Sequence, residues 1–232
     1  MPDQEHVNKT LMRPARRQPR SRHRLTLLVI APFLGALLGG CSALPAPPAS
    51  TTQYDFGPAV VARAAAPAQA ALPPLTLGSV TADGLPADRQ ALLYRYTYTD
   101  DHQLRAYQRA RWSLPVEQLL ARQLRQQLQT RWAVLTPDYG RTRTQSGEAV
   151  PRVLHVDLER FEQIFADSQR SNGVIELRAT LLDSDGGRLL AQRSFRRSVD
   201  AGSADAPGGA RALAAAAQAV SADIEQWLLS LQ

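Results

Sequence analysis

The sequence predicts an α+β domain: a mainly antiparallel β-sheet with two amphipathic helices packed on one face. Three observations carry this. Several runs alternate apolar and polar residues with period two, most clearly Leu92–Thr99 and Leu154–Leu181. Two stretches, after Pro115 and from about Ala210 to Leu229, repeat their apolar residues with a helical period. The order is strands, helix, strands, helix, and such segregated elements bury their apolar faces most simply as helices laid on one side of a sheet.

The chain opens with three segments: a signal peptide over 1–40, a lipidated cysteine with a Pro-rich tether over 41–52, and the domain over 53–232. Residues 1–24 are basic, and Leu25 to Leu38 is an apolar run interrupted by Pro32 and Gly35. A membrane-spanning helix needs about 20 apolar residues, so this run has the length of a signal h-region rather than of an anchor. It ends in Leu37-Leu38-Gly39-Gly40-Cys41, which contains the sole cysteine of the 232 residues. Small residues before the bond let the strand lie flat in a peptidase cleft, and the thiol is the nucleophile that takes the lipid. Cleavage between Gly40 and Cys41 and acylation of Cys41 are therefore expected. The alternative is an ordinary buried cysteine. The basic segment is longer than a signal needs, and Met12 offers a second start. Pro45, Pro47 and Pro48 stiffen the tether.

Of 27 basic and 21 acidic residues, 7 and 2 fall in residues 1–40, which leaves 20 and 19 for the rest. The high isoelectric point thus belongs to the segment expected to be removed, and the basic footprint of a nucleic-acid binder is missing from the domain. With Cys41 alone there is no internal disulfide. His102 and His155 are the only histidines after the signal, too few for a zinc site, so no metal and no cofactor is expected.

Along the domain, Gln53–Gly57 reads as a short strand and the Ala-rich Ala59–Ala71 as an extended crossing or a poor helix. Leu72–Val80 reads as a second strand, and Asp83-Gly84-Leu85-Pro86 as a turn. In Leu92–Thr99 the period sets Tyr94, Tyr96 and Tyr98 in a row, either as a packed cross-strand ladder or as a surface facing a partner or lipid. Asp100–Arg111 interleaves Tyr107 with Arg105, Arg109 and Arg111, as a loop or strand edge at a protein contact. Ser113 is expected to cap the first helix, with Pro115 in its first turn and Val116, Leu119, Leu120, Leu124 and Leu128 on its buried face. Trp132–Leu135 is a short strand, and 138–151 is polar. Leu154, Val156 and Leu158 alternate inward, and the phase slips near Arg160, which predicts a bulge. Ser168–Gly173 reads as a turn. Asp185-Gly186-Gly187 signals a hairpin between Ile175–Leu181 and Leu189–Val199. Ala201–Gly209 reads as a connector before the last helix.

His155, Asp157 and Glu159 would share one strand face. They are the best candidates for acid–base work, against the plainer alternative of a solvated strand face. No Walker loop and no Ser–His–acid order appears, so no enzyme is expected.

Taken in order, the lipobox, Tyr54-Asp55-Phe56-Gly57-Pro58, Leu93-Tyr94-Arg95, Tyr107, Arg111-Trp112, the Pro115 helix and Val156-Asp157-Leu158-Glu159-Arg160-Phe161 resemble the ABC-type transport auxiliary lipoproteins, a family serving paraquat-inducible and MCE-type lipid transport systems. The resemblance implies a noncatalytic partner of an MCE-domain protein with its permease and ATPase. It also implies acyl chains (palmitate) on Cys41 holding the protein at the outer membrane, facing the periplasm, with room for a homo-oligomer. Ser42 after Cys41 accords with sorting to the outer membrane. The partner contact is expected along Tyr94, Tyr96, Tyr98, Tyr107, Arg109, Arg111 and Trp112. Two other readings stay open: an assembly lipoprotein of lipopolysaccharide export or cell-wall synthesis, and a periplasmic lipid carrier, which would need an apolar cavity.

Overall fold

The computed structural model describes residues 50–58, 72–137, 151–183 and 187–232. The expected signal peptide, Cys41, most of the tether, the Ala-rich 59–71, the polar 138–150 and Asp185-Gly186 lie outside the described residues.

Eight strands and two helices follow in the order β1 Thr52–Tyr54, β2 Leu75–Thr81, β3 Ala91–Tyr96, β4 Leu104–Trp112, α1 Val116–Leu128, β5 Val134–Leu135, β6 Arg152–Phe165, β7 Ser171–Leu182, β8 Leu189–Asp200 and α2 Ala206–Leu229. The spine is β6, whose 14 residues extend about 46 Å at the usual rise of a strand. One edge of β6 pairs antiparallel with β7 along its whole length, and β7 pairs antiparallel with β8. The other edge is shared. β2 runs parallel to its first half, from Arg152 to Asp157, and β3 runs parallel to its end, from Gln163 to Phe165. Beyond β2 lies β5, and beyond β3 lie β4 and then β1.

The sheet is therefore mixed, not mainly antiparallel as the sequence pattern suggested. The ladders β1–β4, β2–β5, β2–β6 and β3–β6 are parallel. The Asp83–Pro86 turn does not reverse the chain: β2 and β3 run the same way, one after the other along β6. β4 then turns back against β3, and the chain returns through α1 and β5 to start β6 in the same direction as β2 and β3. The expected bulge is present. Leu158 pairs with Leu177 but Arg160 with Glu176, which makes Glu159 the extra residue. The bulge turns the phase of β6 over, so that Leu154, Val156 and Leu158 face the helices before it and Phe161, Gln163 and Phe165 after it.

Both helices pack on that face. α2 lies on β7, β8 and β6, and α1 lies beside α2 and over β2. Val116, Leu119, Leu120, Leu124 and Leu128 of α1 are all buried, as are Leu213, Val220, Ile224, Trp227 and Leu228 of α2. At about 1.5–3 kcal/mol for each large side chain buried, this shared face dominates the stability. Glu225 of α2 is buried too. It accepts hydrogen bonds from Gln127 and from the Thr130 hydroxyl, and lies 3.5 Å from the Arg131 guanidinium.

Two local expectations are corrected. Ser113 does not cap α1: the position before the helix is Pro115, and the Ser113 hydroxyl donates to Asp55 Oδ2 at 2.8 Å, which fastens the segment after β1 to the end of β4. The Ala201–Gly209 connector is shorter than its composition implied, because α2 starts at Ala206 with Asp205 as its cap. Asp205 Oδ1 accepts from the Gly208 amide at 2.8 Å, and Pro207 stands in the first turn, where no backbone donor is missed.

Two predictions follow from this packing. A Cβ on Gly173 would lie 2.6 Å from backbone atoms of Ala212 and Leu213. Gly173→Ala must therefore push α2 off the sheet and should lower the unfolding free energy in urea by about 1–3 kcal/mol, the usual cost of overpacking. Hydrogen bonds from the Ser203 hydroxyl and then the Gly208 amide hold the Asp205 carboxyl below its ordinary value of 3.8. Its folded form is the stronger acid, so its contribution is complete above pH 3.8 and is lost as the pH falls through the folded value. Asp205→Ala should cost about 0.5–2 kcal/mol at neutral pH. Asp205→Asn should keep most of the cap and flatten the acid limb of stability against pH.

Candidate functional site

The period-two tyrosines of β3 end at a corner of the sheet where the helices no longer cover it. Tyr94 and Tyr96 stand level with Gln163 and Phe165 of β6, on the helix-bearing face. Ring centroids are 5.1 Å apart for Tyr94 and Tyr96, 4.5 Å for Tyr94 and Tyr107 of β4, and 4.9 Å for Tyr96 and Phe165. Tyr98, just past the strand, stacks 5.6 Å from Tyr96. The Arg105 guanidinium lies 5.3 Å over the Tyr96 ring, a cation–π contact.

The cluster has a buried root and an exposed tip. Phe165 and Gln163 are buried, whereas Tyr98 is 48% exposed. At the root, the Tyr107 hydroxyl donates to Gln163 Oε1 at 2.9 Å, and Gln163 Nε2 donates to Ser171 Oγ at 2.7 Å. The start of α2 closes over this pair: a Cβ on Gly209 would stand 2.0 Å from Gln163 Oε1. Burial first, then the neighbouring Tyr96 and Tyr94 and the Asp205 carboxylate, push the Tyr107 phenol well above its ordinary value. Tyr96 is raised by burial and by Tyr94 and Tyr98, partly offset by Arg105. Both phenols are neutral donors over the whole physiological range.

The opposite face of the sheet at this level is held by charge. Arg95 binds both oxygens of the buried Glu162 at 3.1–3.3 Å, Arg160 lies between Glu162 and Glu176, and Arg196 reaches Glu176 at 3.1 Å. Arg95 also donates to the carbonyl of Asp101, which pins the turn beyond Tyr98.

The residues expected to form one contact surface divide. Tyr94, Tyr96, Tyr98 and Tyr107 come together, and Arg109 is exposed on the same strand as Arg105. Arg111 is drawn aside to Asp88 and Gln90. Trp112 is fully buried, its ring 5.4 Å from both Phe56 and Phe161; it belongs to the core and does not reach the surface. The alternation of β3 revealed the tyrosine row, but the positions of Arg105 and Phe165 depend on which strands flank β3, and no local pattern specifies that. Gly40 and Cys41 lie outside the described residues.

The His155, Asp157 and Glu159 face is a bonded strand surface. The Ser79 amide donates to His155 Nδ1 at 3.1 Å, so that nitrogen is an acceptor and the Ser79 hydroxyl, 2.7 Å away, donates to it as well. Thr81 donates to Asp157 at 3.1 Å, and Glu159 pairs with Arg178. Each polar group is used to tie β6 to a neighbouring strand. Among the described residues no group of three potential metal ligands occurs, and no helix is long and apolar enough to cross a membrane.

These features define an α+β domain whose most unusual surface is an aromatic corner at one end of the sheet. The chain belongs to the ABC-type transport auxiliary lipoprotein component family, whose model matches residues 54–225. A crystal structure of a Xanthomonas campestris protein of the family designated DUF330 is similar at 22% identity and a TM-score of 0.56, over 71% of this chain and 89% of that one. A second crystal structure, of an uncharacterized protein, is similar at 18% identity and a TM-score of 0.53, over 77% of this chain and 99% of that one. Both likenesses concern the fold. A comparison with curated proteins returns no match.

Tyr107→Phe should leave Gln163 Oε1 without its phenolic donor in a buried site and cost about 1–3 kcal/mol, read by thermal unfolding with the far-ultraviolet spectrum unchanged.

Proposed function

We propose that this protein is the noncatalytic lipoprotein component of an MCE-type ABC system that moves lipids across the bacterial envelope, held at the outer membrane by acyl chains on Cys41. The observation that carries this reading is the family match over 54–225, set behind a lipobox with the only cysteine of the chain. Its partners are the MCE-domain protein, the permease and the ATPase. The domain contributes surface rather than chemistry: the polar residues of β6 that resemble an acid–base set are engaged in cross-strand bonds.

The lipid-carrier reading is not favoured. The space between helices and sheet is filled by side chains. The groove of about 390 Å³ between α1, α2 and the segment after β1 is mixed: Tyr54, Phe56 and Pro58 line it together with Gln127, Thr130 and Arg211. A second groove of about 440 Å³ has Arg193, Arg196 and Arg197 in its wall. Neither offers an acyl chain the apolar enclosure that lipid burial requires.

The full-length acylated protein, crosslinked in its own envelopes and affinity-purified, should bring down an MCE-domain protein and its permease, identified by mass spectrometry. Recovery of only lipopolysaccharide-export or cell-wall-synthesis proteins would overturn the transport role.

A further inference from the structure

We infer that the tyrosine corner is the end of the domain that rests on the membrane, with Tyr96, Tyr98 and Arg105 seated in an anionic lipid–water interface. The first support is the direction from which the chain arrives. β1 runs parallel to β4 on its outer edge, with Thr52 beside Ala110 and Tyr54 beside Trp112. Traced backwards from Thr52, the chain therefore climbs β4 from the level of Ala110 towards Tyr107 and Arg105. The described residues begin at Ser50, nine residues after Cys41. Those nine residues reach at most about 30 Å when fully extended. The first described residues thus head back towards the end of the sheet that carries the tyrosines, which is the end this inference gives to the anchor.

The second support is the chemistry of the corner. Tyrosine has an apolar ring and a polar hydroxyl, and it is enriched where hydrocarbon meets water. Tyr98 is 48% exposed and Tyr96 is half-buried, and both stack on a rigid base whose last ring is Phe165. Arg105 lies over Tyr96 and hydrogen-bonds Gln103. Arg105 is exposed, and its guanidinium, seated on the Tyr96 ring, is the cation this corner offers to lipid phosphate. Asp100 and Asp101 sit on the exposed turn beyond Tyr98, where their carboxylates face His102: Asp100 Oδ1 accepts from the His102 amide at 2.9 Å, and Asp101 Oδ1 lies 3.4 Å from its Nε2. A transporter protein could use the same aromatic surface. The entry of the tether favours lipid.

This inference rests on acylation of Cys41, and the test separates the two. The acylated full-length protein is reconstituted on phosphatidylethanolamine–phosphatidylglycerol vesicles with bromine on the upper acyl chain. Tyr98→Trp and Leu189→Trp are compared; Leu189, 57% exposed, lies on β8 next to the β7–β8 turn, at the opposite end of the sheet. The native Trp112, Trp132 and Trp227 are at most 7% exposed and supply a constant background. The added emission of Tyr98→Trp should be largely lost to bromine, and that of Leu189→Trp retained. Loss at 189, or at neither position, in protein shown by mass spectrometry to be acylated would overturn the membrane seat and leave the anchor standing. Emission at 98 that ignores bromine but shifts when an MCE-domain protein is added would overturn it in favour of a protein contact. Unmodified Cys41 and failure to float with vesicles would overturn the anchor and the seat together.

Discussion

One extra residue in β6 determines which side chains face which way over most of the domain. Side chains of a strand alternate, so a shift by one exchanges its two faces. Glu159 supplies that shift. Without it, Phe161, Gln163 and Phe165 would turn to solvent, and Glu162 and Ile164 would turn towards α2. With it, Phe161 joins Phe56 and Trp112 in the core, and Phe165 becomes the floor of the tyrosine cluster. The bulge is also where the partner of β6 changes from β2 to β3. Gly84, in the loop between those two strands, comes so close that a Cβ there would be 3.5 Å from the Glu159 carbonyl. The loop crosses the bulge rather than forming a hairpin, and two strands can therefore follow each other along a single edge.

The tyrosine corner depends on a second constraint, the close seating of the α2 N-terminus. Gly173, Gly208 and Gly209 stand where a methyl group would collide with backbone or with Gln163. Asp205 supplies the helix cap and also contributes to the raised ionisation of Tyr107. The helix start, the buried amide of Gln163 and the phenol of Tyr107 thus form one packed unit. The exposed rings beyond it are stacked on something rigid. Binding surfaces made of preorganised rings lose little side-chain entropy on contact, which suits this corner to a shallow interface rather than to a deep pocket.

Much of this was legible in the sequence, and the remainder was hidden for physical reasons. Local periodicity located β3, β6, β7, β8, the apolar faces of both helices and even the bulge near Arg160, because each of these is encoded by its own residues. Pairing is not encoded in that way. The Asp83-Gly84-Leu85-Pro86 turn looks the same whether the chain reverses or merely steps aside, so it does not reveal that β2 and β3 share a parallel edge of β6. The start of α2 was missed because Pro207-Gly208-Gly209 reads as a break. The glycines there answer to tertiary contacts with Ser203 and Gln163, and those outweigh helix propensity. Trp112 was read as surface because it follows a run of arginines. Its burial is set by β1 and by Phe161, distant in sequence.

The direction of the strands also gives the domain a polarity. β6 and β3 run towards the tyrosine corner, β4 and β1 run away from it, and the tether precedes β1. With the corner seated on the bilayer as proposed, the β7–β8 turn and the end of α2 stand away from the membrane by most of the length of β6, about 46 Å for its 14 residues. The exposed Leu189 and Leu190 are then at the far end. Among the described residues β8 pairs only with β7, so its outer backbone edge is unpaired among them. The proposed role, held at one membrane while meeting a machine that reaches from the other, calls for two separated ends. Here the parallel ladder between β1 and β4 sets that polarity, because reversing that one short strand would turn Ser50 towards the opposite end of the sheet.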